Sequence, residues 1–254
     1  MKAVVCVKQI RTLGDEVEFT SDERDVDEEF VELAVNEWDT YAVEAALRLK
    51  EAAGDGEVVV VTFGTEQAEQ ALRRCLAMGA DRAIRVESSD PGINDPLTTA
   101  RALAPVVAAE SPDLVLAGVQ SSDSVQAATG TMLAELLDLA RVAVVTRIDY
   151  DHAGRRATVH RELEGGLIDV VEVGTPALLT IQTGINEPRY ANLRAIKQAN
   201  QQEIAVVEPL SDSMPAYRIR RMFVPPRGEG AEPLGDSPIE VAQRIAEIVK
   251  ARMS

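Results

Sequence analysis

The chain has 254 residues, with 42 Asp and Glu against 26 Lys and Arg and a net charge of −16. This balance excludes a protein that wraps a nucleic-acid backbone, which needs a basic face, and it disfavours an anionic membrane surface. With 46% apolar residues the chain can bury a large core, which excludes a disordered protein.

Met1 to Val7 is too short an apolar stretch for a secretory signal and reads as a buried strand. No apolar run is long enough to cross a bilayer, so no membrane insertion is expected. The acidic stretch 15–32 carries ten carboxylates and one Arg and reads as a solvated loop. Residues 39–53 have helical spacing, and 57–63 (E-V-V-V-V-T-F) form a continuous apolar strand of the kind buried in a parallel sheet. Thr65 caps a helix to Met78, with Gly79 as its stop. A short strand follows at 83–86, and Asp95-Pro96 opens a helix to Glu110. Residues 113–117 are another buried strand, and a helix is expected over 124–137. Strands follow at 142–150, 156–163, 167–173 and 177–182, antiparallel where turns at Gly154 and Gly165-Gly166 join them. Residues 210–235, rich in Pro, Gly and charge, read as an extended arm. Ser237-Pro238-Ile239-Glu240 is a capping box that opens a last helix.

The expected fold is α/β: a mainly parallel nucleotide-binding sheet with helices on both faces, an antiparallel extension, and a C-terminal arm ending in a helix. Such folds take ligands beyond the carboxyl ends of their strands, so the loops after Val7, Phe63 and Ala117 are nominated. No Gly-x-Ser-x-Gly, G-x-x-x-x-G-K-[ST] or G-x-G-x-x-G motif occurs, and no catalytic residue is assigned. Cys6 and Cys75 form no C-x-x-C pair, and with His152 and His160 they supply no metal set, so no metal and a reduced, cytoplasmic setting are expected. The loop from Gly118 through Val119, Gln120, Ser121, Ser122, Asp123, Ser124, Val125, Gln126, Ala127 and Ala128 to Thr129 combines Gly, hydroxyls and amides at a strand-to-helix junction. It reads either as a phosphate cradle, with Thr129 a turn and a half into the helix, or as an ordinary loop capped by Asp123 or Ser124.

Several motifs resemble the beta subunit of electron transfer flavoproteins. Ile185-Asn186-Glu187-Pro188-Arg189-Tyr190-Ala191-Asn192-Leu193 matches the family's I/L-N-E-P-R-Y-x-x-L signature. Arg161-Glu162-Leu163-Glu164-Gly165-Gly166 matches R-E-x-[DE]-G-G, and Val7-Lys8-Gln9 and Ala77-Met78-Gly79-Ala80-Asp81-Arg82 also match. The resemblance implies a heterodimer with an alpha subunit that holds a redox FAD, and AMP without a redox role in this subunit. The nucleotide shell would map onto Cys6, Asn36, Glu37, Trp38, Asp39, Phe63 and Gly118 to Thr129. A bifurcating variant, with a second FAD in this pocket taking hydride from NADH, and a stand-alone adenine-nucleotide module are the alternatives.

The resemblance also implies a recognition loop over 185–200, with Asn186, Glu187, Pro188, Arg189, Tyr190 and Leu193 facing partners. Leu193 would plug a pocket on an acyl-CoA or other flavin dehydrogenase, or else be a core leucine at a helix start. Glu162 would pair with an alpha-subunit Arg near the flavin, or else be a solvated strand charge. Electrons would pass on to a membrane quinone reductase. Two domains are expected: a nucleotide-binding domain over 1–205, and an arm and helix over 206–254 docking on the alpha subunit. Two departures stand out. The family's lysine run after the recognition loop is here Gln198-Ala199-Asn200-Gln201-Gln202-Glu203 beyond Lys197, and the usual Gly-Lys/Arg-Gln opening of the phosphate loop is Gly118-Val119-Gln120.

Overall fold

The computed structural model describes residues 1–14, 16–88, 95–210, 217–226, 228, 230–231 and 233–253. They fall into two units, Met1–Arg221 and Met222–Ser254. The first unit begins with β1 (Lys2–Cys6), β2 (Gln9–Leu13), β3 (Val31–Val35), α1 (Glu37–Ala53) and β4 (Glu57–Gly64). It continues with α2 (Glu69–Met78), β5 (Arg82–Glu87), α3 (Pro96–Glu110), β6 (Leu114–Gly118) and α4 (Thr129–Leu136). The remaining elements are β7 (Ala140–Asp151), β8 (Arg156–Glu162), β9 (Ile168–Gly174), β10 (Ala177–Ile181), α5 (Leu193–Ala199) and β11 (Ala205–Val207).

Nine strands form one sheet in the order β11-β5-β4-β1-β6-β10-β7-β8-β9. Pairing is parallel from β11 to β7 and antiparallel from β7 through β9. The side-chain period of two splits the core into two layers. Ala3, Val5, Val58 and Val60 join Val43, Leu47, Leu72 and Cys75 on the α1–α2 face. Val4, Val59, Val61 and Val115 join Ala100, Leu103, Val107 and Leu133 on the α3–α4 face. Helices therefore cover both faces, as the uninterrupted valines of β4 require.

Local chemistry sets several boundaries. The Asp95 carboxylate accepts from Leu97 N at 3.1 Å and from Thr98 Oγ1 at 2.7 Å, capping α3 behind Pro96, a device typically worth about 1 kcal/mol. Gly54 ends α1 in the left-handed region at φ 73°. β7 carries Val144 at φ 62°, a costly conformation for a β-branched residue, and the register of β7 slips beside it against both β8 and β10. Val144 N donates to Thr180 Oγ1 at 3.1 Å, which holds this bulge in place.

Several sequence expectations need correction. The helix expected over 124–137 begins only at Thr129, because Val125 and Ala127 have φ of 52° and 49°, values no helix accepts. Thr65 makes no side-chain cap; a 3-10 turn at Glu66–Ala68 leads into α2 instead. An antiparallel hairpin, β2 with β3, precedes α1 where no strands were expected. The loop expected over 15–32 includes residue 15, which lies outside the described residues, and a bridge joins Phe19 to Val26 within it. The arm expected over 210–235 includes 211–216, 227, 229 and 232, also outside the described residues. In the second unit the capping box opens α6 (Pro238–Met253): Ser237 Oγ accepts from Glu240 N at 3.3 Å, and Glu240 Oε2 accepts from Asp236 N at 3.1 Å.

Candidate functional site

From β1 the chain moves outward to β4 and β5, then returns to place β6 on the other side of β1. The crevice at the carboxyl ends of β1 and β6 is where such a reversal leaves room for a ligand. A cavity lies there. Its walls come from the ends of β1 and β4, the start of α1, one face of α3, and the loop from β6 to α4.

Asn36 and Asp39 build the α1 wall. Asp39 accepts from Lys8 N at 2.7 Å and from Gly118 N at 2.9 Å, so one carboxylate joins the chain beyond β1 to the end of β6. Burial pushes the Asp39 carboxyl up to about 7, against these donors and Asn36, which favour the ionised form. Gly118 is required here: a Cβ would lie 2.6 Å from Trp38 Cβ and would also strike the Asp39 carboxylate. The Asn36 amide donates to Gln120 O at 2.8 Å, while its Oδ1 is buried without a partner. Burial holds the Cys6 thiol up at about 12, so it is protonated and inert at neutral pH.

Beyond Gly118 the loop is organised around one cation. Lys8 Nζ reaches Asp123 Oδ1 at 2.7 Å, Ser121 Oγ at 3.2 Å and Ser124 Oγ at 3.3 Å, and Ser121 Oγ donates to Asp123 Oδ1 at 2.6 Å. Ser121 O accepts from Val125 N at 2.9 Å, closing a turn. Neither Asp123 nor Ser124 caps α4; its N-cap position is Ala128, and Thr129 is the first helical residue rather than one inside the helix. Gln126 is hydrogen-bonded to Tyr217 Oη.

Of the residues nominated for a nucleotide shell, Cys6, Asn36, Asp39, Phe63, Gly118, Val119, Gln120, Ser121, Ser124, Gln126, Ala127, Ala128 and Thr129 line the cavity. Glu37, Trp38, Ser122, Asp123 and Val125 stand just outside this lining. The Trp38 indole N–H donates to Gln182 Oε1 at 3.0 Å, and Asp123 engages Lys8. Sequence reasoning missed Val7, Lys8, Pro96, Thr99, Leu103, Ala117 and Gly130. Pro96, Thr99 and Leu103 stand at i, i+3 and i+7, one helix face, which the capped start at Asp95 could have exposed. Lys8 is the only cationic side chain among the described lining residues.

The signature segment is placed by α1. Arg189 donates to Glu44 through its backbone N at 3.2 Å, Nε at 2.8 Å and Nη2 at 3.2 Å, and to Glu51 through Nη1 at 2.7 Å and Nη2 at 3.2 Å. Asn186 Nδ2 donates to Tyr41 O at 3.0 Å, and Arg48 Nη2 to Glu187 O at 3.2 Å. Burial works against ionised Glu44, but the guanidinium of Arg189, joined by that of Arg48, outweighs it and holds the carboxyl below the usual range. Tyr190 and Leu193 then project outward, 93% and 86% exposed. Leu193 is therefore not a core leucine, although it does begin a helix: the Asn192 side chain accepts from Ala195 N at 2.9 Å as the cap of α5. Pro188 sits within the tethered stretch, and Glu162 is exposed at the end of β8.

Among the described residues no group of three His, Cys, Asp or Glu is arranged to hold a metal ion, and no helix is long and apolar enough to cross a membrane. The parallel sheet, the helices on both faces and the cavity at the β1–β6 reversal define a doubly wound α/β protein with a crevice at the switch point. Residues 25–212 match the electron transfer flavoprotein domain. The chain is 41% identical to the electron transfer flavoprotein subunit beta of Methylophilus methylotrophus, with 98% of each chain covered. It is 34% identical to the subunit beta of Syntrophomonas wolfei, over 98% of this chain and 96% of that one. It is 36% identical to the mitochondrial subunit beta of Arabidopsis thaliana, over 80% of each. The chain belongs to the electron transfer flavoprotein family, as a beta subunit.

Proposed function

We propose that this beta subunit pairs with an alpha subunit carrying a redox FAD, holds AMP in the β1–β6 cavity, and docks flavin dehydrogenases of the acyl-CoA type through Leu193. The heterodimer then hands electrons to a membrane quinone reductase. The alpha-subunit flavin supplies the redox chemistry, and no bond is made or broken by residues of this chain.

The observation that carries the nucleotide assignment is Asn36. It lines the cavity, and its Oδ1 is buried without a partner, so a ligand N–H or O–H would relieve a group that is otherwise costly to bury. Lys8, with the Ser121, Ser124 and Thr129 hydroxyls, would hold the phosphate, supplying from just beyond β1 the cation that Val119 lacks. Gly118 lets the start of α1 close against the end of β6, and the Cys6 and Phe63 walls give the base an apolar slot. AMP here would stabilise the fold by mass action rather than react. The C-terminal arm and α6 would dock on the alpha subunit.

The test is co-purification with the alpha subunit, followed by release and identification of the bound nucleotides. One FAD and one AMP per heterodimer are expected. Two FAD would replace AMP by a second flavin and favour NADH oxidation at this pocket. A monodisperse monomer indifferent to the alpha chain would favour a stand-alone nucleotide module.

A further inference from the structure

The recognition segment is held by one face of one helix. Tyr41, Glu44, Arg48 and Glu51 follow each other at intervals of three or four along α1, and each makes a hydrogen bond to residues 186–189. At the other end, α5 buries Ala199, whose carbonyl accepts from Arg73 Nη1 of α2 at 3.0 Å. The exposed stretch with Tyr190 and Leu193 is thus slung between two anchored points.

Glu44 is the centre of the first anchor. It is 2% exposed, and four N–H groups converge on its carboxylate: three from Arg189 and the Arg48 Nε at 2.8 Å. A carboxylate this deep gives little stability that apolar packing could not match. What the guanidinium fork adds is direction, since two parallel donors fix both position and orientation.

We propose that Glu44 is a positioning residue for docking: acting through Arg189, it fixes the loop so that Leu193 meets a partner already ordered. The inference rests on the reading of residues 185–200 as the docking segment. Ordering a loose loop on association lowers affinity without touching the later electron step.

The test uses the alpha–beta heterodimer with E44Q, R189K and L193A, and an acyl-CoA dehydrogenase reduced by its acyl-CoA as the probe donor. In E44Q and R189K, hydrogen exchange at residues 186–192 speeds up, and KM for the heterodimer rises about tenfold while kcat and nucleotide content stay put. R189K keeps the charge but loses the fork, and it carries the test if E44Q fails to fold. Unchanged exchange in R189K overturns the positioning role. So does faster exchange with unchanged KM while L193A raises KM. If L193A leaves KM unchanged, or the donor does not reduce the wild-type heterodimer, the docking reading fails instead, and the exchange data still decide whether Glu44 orders the loop.

Discussion

Glu44 and Arg189 lie 145 residues apart in the chain, yet Arg189 binds this one carboxylate through its main-chain N–H, its Nε and its Nη2 together. The pair closes the gap between α1 and the segment before α5, and only the arginine end is open to water.

Removing that arginine leaves Glu44 with Arg48 alone. R189A should destabilise the fold by about 2–3 kcal/mol, read as a lower urea midpoint at unchanged slope. The penalty depends on pH. The folded-state pKa of Glu44 lies below its ordinary value of about 4.3, so the pair's contribution is whole above that value and lost as pH falls below it. The groups facing it are Arg189, Arg48 and, through Arg189, Glu51. The difference between wild type and R189A should therefore shrink toward pH 3.

Asp39 has the opposite sign. Its folded-state pKa of about 7 lies above an unfolded value of about 3.9, so the stability linked to its proton is complete below the lower value and lost as pH rises through the higher. Lys8, Asn36 and Gly118 supply the groups that face it. Wild-type unfolding free energy should fall between pH 5 and pH 8, and D39N should flatten that slope. D39N should also cost about 1–3 kcal/mol at pH 5, because one amide end cannot accept from Lys8 N or Gly118 N. A wild-type profile that rises over this range would rule out a protonated Asp39.

G118A places a methyl group against the Asp39 carboxylate, 2.6 Å from Trp38 Cβ and 3.0 Å from the Trp38 main-chain carbon. Overpacking there should cost about 1–3 kcal/mol and reduce the nucleotide retained on purification.

K8M should raise the dissociation constant for AMP about tenfold or more, since a charge-assisted contact is lost. Calorimetric titration of the stripped protein checks this, and an unchanged constant would remove Lys8 from the phosphate site.

L193A should change stability by less than about 0.5 kcal/mol, because the side chain is already in water. Heterodimer assembly should survive, while reduction by an acyl-CoA dehydrogenase slows. Thermal unfolding and a stopped-flow trace on the same preparation separate the two effects.

The parts of the fold legible in sequence are those where a local signal decides. The valines of β4 can only suit a strand buried on both faces, and Asp95 ahead of Pro96 can only suit a helix start. The hairpin of β2 and β3 is not legible because a long acidic stretch rather than a tight turn joins its strands, and Q-I-R-T-L is barely apolar. The loop after β6 misled for a different reason. Its composition suits a helix from Ser124, but Lys8 gathers Ser121, Asp123 and Ser124 around its ammonium group and so takes their side chains from any cap. That contact spans more than a hundred residues and leaves no local trace. The signature segment is visible as a motif, whereas the division of labour within it, with Arg189 gripping α1 and Tyr190 and Leu193 exposed, depends on contacts with residues more than a hundred positions away.

Strand β10 fits between β6 and β7, although β6 leaves the chain well before β10 does. Until residues 177–181 arrive, the Leu114–Gly118 strand has β1 on one side and nothing on the other, with Leu114, Val115 and Leu116 along that open rim. A nascent chain halted in the antiparallel hairpins, or a protein clipped in the turn before Ala177, would bare a flat aliphatic edge able to recruit a strand from another molecule. Truncations in this region should therefore yield insoluble material rather than a smaller soluble domain.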